Sequence, residues 1–524
     1  MTTPQARWVR GTEVLILAVG IGLRLARLLQ ARPLWLDESL LTLNILGTSP
    51  AGLLRPLDDA QISPLGFMWL EWLVTRLAGT GEHALRFIPF VASIVALVAF
   101  ARLARRILEP GAALLATTFA ALSPLLIYYS AEVKSYGLDW LGAVLLMHAT
   151  LTLIDENSRD AWIRWSLTAA ISALLSTPAP FFIAGCGFAL LLAPEVWDRS
   201  RGLLRLAAAA TPAVLIFGLH LLTVYDSSAT TSFMQEYWTA TFIEPRVPSG
   251  LLQAARIARE YWVAVLFGTA SADALPAKSM TIILALSALG ALALGRRSLP
   301  TAVFLLGPLL FAGVASMAKY WPMTDRLMLF AVPAVLVTLS AGVALVARLA
   351  PAKVRAPLHA LLALALIAVA LRGVPRTMQV DPRFIDVPSV LREAHDAGPA
   401  AVVYLSADMV KTCTYYLAWH PVGADLGGVP ASRECAFRDG QVVVGEWPIL
   451  QAQGLQTDVT REIEAAWLER EGRRILEKRA NEIRLFIGLP HLRTVLPSWL
   501  EASGAIRVSD RETKHLRIVG YRLP

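Results

Sequence analysis

Long apolar blocks dominate the chain, and their length decides what it can fold into. Runs such as VLILAVGIGL (14–23), FIPFVASIVALVAFA (87–101) and LHALLALALIAVAL (358–371) belong to blocks of roughly 18 to 22 residues. A helix of that length crosses the ~30 Å hydrocarbon core of a bilayer. Only 17% of the 524 residues are charged, against about 25% in soluble proteins. Mean hydropathy is +0.54. The chain therefore reads as a polytopic α-helical membrane protein. About eleven transmembrane helices are expected, near 12–30, 84–104, 111–128, 136–154, 162–177, 180–195, 204–224, 277–295, 299–318, 325–347 and 357–372.

The basic residues set the orientation. With the N-terminus cytoplasmic, one side of the membrane carries Arg7 and Arg10, then Arg102, Arg105 and Arg106. Arg159 and Arg164 follow, then Arg199, Arg201 and Arg205, then Arg296 and Arg297, then Arg348, Lys353 and Arg355. Positive residues stay on the cytoplasmic side, so the pattern predicts a multi-pass protein with a cytoplasmic N-terminus. The first span is read as retained, because no small-residue cleavage site follows it. Arg24 and Arg27 in that span read as side chains that snorkel outward. The net charge of +8 then reflects topology and implies no nucleic-acid partner.

An odd number of spans places everything after about residue 373 in the periplasm. The chain divides into a membrane module, 1–372, and a periplasmic α/β domain, 373–524. In the tail, AAVVYLSA (400–407), QVVVGEW (441–447), EIRLFIGL (482–489) and LRIVGYRL (516–523) read as strands. VTREIEAAWLEREGRRILEKRA (459–480) reads as an amphipathic helix. The tail has no Gly-rich phosphate fingerprint. Cys413 and Cys435 lie 22 residues apart in it; an oxidising periplasm allows a disulfide, and two separate buried thiols are the other reading. The first periplasmic loop, 31–83, contains SPLGFMWLEWLVTRLAG (63–79), which reads as an interfacial helix with Trp69 and Trp72 at headgroup depth. A second polar and aromatic loop, 225–276, contains YDSSATTSFMQEYW.

Three charged clusters lie on this outer side. PLWLDESLL (33–41) sets Asp37 beside Glu38. Asp37 reads either as the N-cap of a helix or as a base at the membrane boundary. SPLLIYYSAEVKSYGLDW (123–140) packs Glu132, Lys134, Tyr136 and Asp139 between apolar runs. A Glu132–Lys134 salt bridge is one reading; a cation for a lipid phosphate is the other. AKYWPMTDRLMLF (318–330) brings Lys319, Tyr320, Asp325 and Arg326, either as an interfacial anchor or as a phosphate fork. Arg86 in HALRFIPF is a weaker candidate of the same kind. A carboxylate, cations and an amphipathic helix on one face point to chemistry on a lipid-linked phosphate.

These motifs in this order resemble the GT-C superfamily of integral-membrane glycosyltransferases. The likeness is to family 39-like bacterial members related to protein O-mannosyltransferases and the lipid A aminoarabinose transferase. It rests on PLWLDE, DDAQISPLGFMWLEW, EHALRFIPFVASIVALVAFARLARRIL, SPLLIYYSAEVKSYGLDW and YWPMTDRLMLFAVPA, over about residues 10–345. One departure is Lys134, where the family often has Arg, so the charge is kept and the fork lost. The resemblance implies an inverting transferase that moves a sugar from a polyprenyl-phosphate donor. The acceptor would be an envelope glycan, glycolipid or protein at the periplasmic face. It makes Asp37 the base and Glu38 its support or an acceptor contact. Lys134 and Arg326 would hold the donor phosphate, with Tyr136, Glu132, Arg86 and Tyr320 lining the donor site. Asp58, Asp59 and Gln61 would meet sugar or acceptor. No cofactor is required by this reading, and a divalent metal stays open. The alternative class is a lipid or glycolipid transporter or flippase, which would show mid-membrane charges, broken helices and an internal repeat. No such repeat is present in the sequence.

Overall fold

The computed structural model describes residues 4–196, 202–225, 228–268, 277–379, 385–398, 401–437, 441–445, 461–478, 481–489, 492–513 and 516–523. The membrane module opens with α1 (Pro4–Leu29), α2 (Leu36–Leu46), α3 (Leu65–Ala78), a single turn α4 (Glu82–Leu85) and α5 (Phe87–Ile107). It continues through α6 (Pro110–Leu122), α7 (Pro124–Tyr128), α8 (Tyr136–Glu156), α9 (Arg159–Leu175), α10 (Ala179–Leu191) and α11 (Gly202–Thr223). Then come α12 (Ser228–Tyr237), α13 (Ser249–Phe267), α14 (Ala277–Arg297), α15 (Leu299–Met317), α16 (Val332–Leu349), α17 (Ala352–Leu371) and the short α18 (Gly373–Met378).

Each of the eleven expected spans falls on a helix. Among the described residues, seven helical stretches are long and apolar enough to cross a membrane, or eight if α6 and α7 count as one bent span. The count is below eleven for physical reasons. Five ionisable residues, Arg7, Arg10, Glu13, Arg24 and Arg27, interrupt α1, while α9 and α10 have only 17 and 13 residues. Arg199 and Arg201 of the basic pattern lie outside the described residues.

Helices α6 and α7 meet at 46°. Pro124 has no N–H to give to the carbonyl four residues back, so the chain breaks there. The freed carbonyls are taken by Arg24, which does not snorkel. Its side chain is buried and donates to Ala120 O at 3.0 Å, Ala121 O at 3.3 Å, Gly20 O at 2.9 Å and Ser93 Oγ at 3.0 Å. Four oxygen partners satisfy a cation that has no carboxylate beside it. Arg27 is also buried, with its guanidinium 4.6 Å from the Tyr128 ring centroid. Elsewhere the bundle closes through small residues. Helices α14 and α16 cross so tightly that a Cβ on Gly290 would run into the Thr338 carbonyl, and one on Gly342 into that of Leu286.

The tail folds around a five-stranded sheet ordered β2-β1-β3-β5-β4. Its strands are β1 (Ala401–Leu405), β2 (Gln441–Val444), β3 (Glu482–Ile487), β4 (Ile506–Glu512) and β5 (Arg517–Arg522). β1 runs parallel to β2 and β3, while β5 is antiparallel to β3 and β4. The helices are α19 (Val387–Asp396), α20 (Ala407–Ala418), α21 (Val422–Asp425), α22 (Arg461–Leu476) and α23 (Leu492–Ala502). Alternate residues sort to two faces, as strand geometry requires. Val403, Leu405 and Phe486 pack with α19 and α20, while Val402, Tyr404, Ile483 and Leu485 pack with α22 and α23. β1 is covered on both sides and so reads as the unbroken apolar run AVVYL. The four expected strands are present; β4 was not expected, because IRVSDRE is an edge strand exposed along its length. Residues 400, 446–447, 459–460 and 479–480 of the expected elements lie outside the described residues. Cys413 of α20 and Cys435 form a disulfide, and Cys186 is a buried free thiol in α10.

Candidate active site

Asp37 and Glu38 both sit in the first turn of α2, where negative charge suits the helix dipole. Asp37 does not cap the helix: Trp35 occupies the N-cap position and Asp37 lies inside the turn. Successive helix residues point about 100° apart, and the two acids enter different surroundings.

Asp37 faces a half-open cationic centre. Its Oδ1 accepts from Lys134 Nζ at 2.9 Å, and its Oδ2 accepts from Arg326 Nη1 at 3.2 Å. Lys134 also donates to Gln61 Oε1 at 2.8 Å. The Asp37 side chain is 22% exposed and that of Arg326 17%. Arg326 lies between two indoles, its guanidinium carbon 5.5 Å from the Trp35 ring and 5.3 Å from the Trp238 ring. Such stacking restricts a guanidinium while leaving its N–H edge for an anion. Burial opposes ionisation of Asp37, but Lys134, Arg326 and hydrogen bonds from Lys134 and Gln61 outweigh it. Its carboxyl is held below the usual carboxylate range.

Glu38 faces a closed centre. It is buried and takes the Arg86 fork, with Nε to Oε1 at 2.9 Å and Nη2 to Oε2 at 2.7 Å. Its oxygens also accept from Val133 N–H at 3.0 Å and, reaching back over the helix start, from Trp35 N–H at 3.3 Å. Arg86 spends its other donors on Arg32 O at 2.6 Å and Pro33 O at 3.4 Å. Arg32 bridges onward, 3.8 Å from both Glu38 and Glu132. Burial opposes ionisation of Glu38 too, yet Arg86 and Arg32 hold its pKa below the ordinary value. Glu132 behaves the opposite way: burial, reinforced by the Glu38 charge, pushes it up to about 7.

The structure thus brings Asp37, Lys134, Gln61 and Arg326 together and sets the other candidates in different surroundings. Glu38 and Arg86 consume each other within the fold, so neither presents a free edge to a ligand. Glu132 pairs with Arg32 rather than Lys134. Tyr136 is buried and packs edge-on against Tyr129, centroids 5.1 Å apart. Tyr320 stands 76% exposed on the turn after α15 and joins none of these contacts among the described residues. The Asp58 backbone exchanges hydrogen bonds with the Asn44 amide, at 2.8 and 3.2 Å. Asp59 pairs with Lys411 of α20 at 2.7 Å. The sequence reading missed Trp35, Trp238 and Arg32. Trp238 ends the aromatic stretch YDSSATTSFMQEYW, whose pattern alone names no partner. Among the described residues, no cluster of three His, Cys, Asp or Glu side chains is placed to hold a metal ion.

Residues 63–232 match the family model described as dolichyl-phosphate-mannose-protein mannosyltransferase. This stretch contains Lys134 and excludes Asp37 and Arg326. No curated protein matches the chain. Among solved structures, ArnT from Cupriavidus metallidurans in the apo state is 12% identical with a TM-score of 0.49, covering 99% of this chain and 98% of that one. The same protein bound to undecaprenyl phosphate gives 13%, 0.48, and 97% of each chain. The Archaeoglobus fulgidus oligosaccharyltransferase in its apo form gives 13% and 0.50, covering 99% of this chain and 74% of that one. At such identities the likeness concerns the fold. Over residues 63–232 the chain is thus similar to the dolichyl-phosphate-mannose-protein mannosyltransferases, and its fold is like that of the archaeal oligosaccharyltransferase.

Proposed function

We propose that the protein transfers a sugar from a polyprenyl-phosphate donor to an acceptor hydroxyl at the periplasmic face of the inner membrane, with inversion. The observation that carries this reading is the half-open pairing of Asp37 with Lys134 and Arg326: a carboxylate and two cations from three distant segments, still reachable from outside. The family name, a lipid-phosphate-dependent mannosyltransferase, supports the donor class. The basic residues at the opposite helix ends support the orientation.

In this mechanism the donor phosphodiester approaches Lys134 and the Arg326 edge. Both cations are then shared between phosphate and Asp37. Their withdrawal raises the basicity of Asp37 at the moment the donor is in place. Asp37 takes the proton of the acceptor hydroxyl as its oxygen bonds to the anomeric carbon. The bond from that carbon to the phosphate oxygen breaks on the opposite face, and its electron pair leaves with the polyprenyl phosphate. Lys134 and Arg326 stabilise the charge gained there. The acceptor is a glycan, glycolipid or protein, and no step requires a metal.

The test is Asp37→Asn in the full-length protein. Transfer should fall by about 10² to 10⁴. Binding of a polyprenyl phosphate should persist or tighten, because the amide no longer competes for the two cations. Full transfer by the variant would remove Asp37 as the base; loss of phosphate binding would remove the cation-sharing mechanism.

A further inference from the structure

The soluble domain does not sit apart from the membrane module. Its helix α20 lies against α2, and one apolar cluster runs through both, with Leu34, Leu46, Leu85 and Val133 packing with Leu391, Met409, Cys413 and Leu417. Tyr416 is fully buried at this junction. Its hydroxyl accepts from the Leu34 N–H at 3.0 Å and donates to Glu82 Oε1 at 2.8 Å. Leu34 is three residues before Asp37. Glu82 opens the turn that delivers Arg86 to Glu38, and its other oxygen meets His420 Nε2 at 2.9 Å. A second link joins Thr412 Oγ1 to Ser39 Oγ at 3.0 Å. Further along, Tyr415 donates to Thr80 O at 2.7 Å.

Both ends of the catalytic helix start are therefore held from the tail. Removing one hydroxyl at Tyr416 leaves the buried Leu34 N–H without its acceptor and Glu82 with His420 alone. The segment 33–39 must then shift, and Asp37 with it. Nothing in this set of contacts involves Lys134 or Arg326.

We propose that the soluble domain is a working part of the transferase site, with Tyr416 as the positioning residue that sets where α2 presents Asp37. This rests on the transferase reading above. The Cys413–Cys435 disulfide anchors the middle of the same helix, one turn from Tyr416.

The experiment uses the full chain carrying Tyr416→Phe. Three quantities are measured: turnover with a polyprenyl-phosphate sugar, binding of a polyprenyl phosphate by tryptophan fluorescence, and amide hydrogen exchange. A misplacement near 1 Å should lower kcat by about ten- to a hundredfold. Phosphate affinity should stay within about twofold, as expected when only the base is displaced. Exchange should quicken in peptides covering 33–46 and stay unchanged in the membrane helices. Unchanged kcat in a folded variant overturns the proposal. So does a joint loss of kcat and phosphate binding with faster exchange everywhere, which would mean general unfolding. If Tyr416→Phe does not fold, Thr412→Val, which removes only the link to Ser39, carries the same three readouts; unchanged kcat there also overturns it. If the wild type transfers no polyprenyl-phosphate sugar, the transferase reading fails. The exchange data then decide alone whether Tyr416 positions α2.

Discussion

Asp37 and Glu38 are neighbours in sequence and opposites in surroundings. Each meets two cations. Around Glu38 the cations are buried, the fork is bidentate, and backbone N–H groups fill the remaining lone pairs. Around Asp37 the contacts are single, from a lysine and from one edge of an arginine, and the side chains stay partly exposed. A saturated, dry network fixes geometry but offers nothing to a ligand. An unsaturated one can exchange partners. The same helix turn thus carries a closed pair and an open one side by side, and the 100° step between adjacent helix residues makes that compatible.

The sharpest way to break the comparison is to exchange the consequences. Asp37→Asn should abolish most transfer and leave thermal stability in detergent nearly unchanged. Arg86→Ala should do the reverse, leaving the buried Glu38 charge without its fork and with only Arg32 at 3.8 Å, at a cost of about 3 kcal/mol. A lowered unfolding temperature with little folded protein is expected there. A stable, soluble Arg86→Ala variant would show that the closed centre is no anchor. A third acid of the same loop extends the series. Glu71 in α3 is buried with neither carboxylate oxygen hydrogen-bonded, and burial raises its pKa well above the ordinary value. Glu71→Met should therefore stabilise the protein by about 1–3 kcal/mol, read from the unfolding midpoint. A destabilised variant would mean that this acid has work to do.

The helices were legible because apolar length is a strong, local signal. The eleven expected blocks all lie on helices, including the one broken at Pro124. The basic residues at the opposite helix ends suggested that Asp37, Lys134 and Arg326 share one end, and the three side chains do meet. Partner choice was not legible. Arg86 and Arg326 look alike as single arginines beside outer helix starts, yet one closes on Glu38 and the other opens toward Asp37. That difference arises from contacts spanning 48 and 289 residues, which no local pattern encodes. Arg24 misled for the same reason. Its role is to satisfy carbonyls freed by a proline 100 residues later, and only the packing of α1 on α6 reveals it. β4 escaped because an exposed edge strand lacks the alternation that marks a half-buried one.

Glu132 sits between the two centres and gives the finest test of their separation. It is buried beside Arg32 and feels the charges of Glu38, Arg326 and Asp37. Its pKa rises from 4.5 to about 7. A carboxyl with a raised folded-state pKa contributes stability that is complete below 4.5 and is lost as pH climbs through about 7. The same proton alters the open centre. Below pH 7 Glu132 is neutral and the cations near Asp37 meet less opposing charge; above it, one more anion faces an incoming phosphate. The donor KM should therefore rise by roughly three- to tenfold as pH increases through the transition. Glu132→Gln should flatten this rise and hold KM near its low-pH value throughout. A KM profile identical in the wild type and Glu132→Gln would mean that the closed centre is electrostatically silent at the open one. The anchor would then be mechanical only. A shared inflection removed by the amide would mean that the two centres, though separate in hydrogen bonding, share one field.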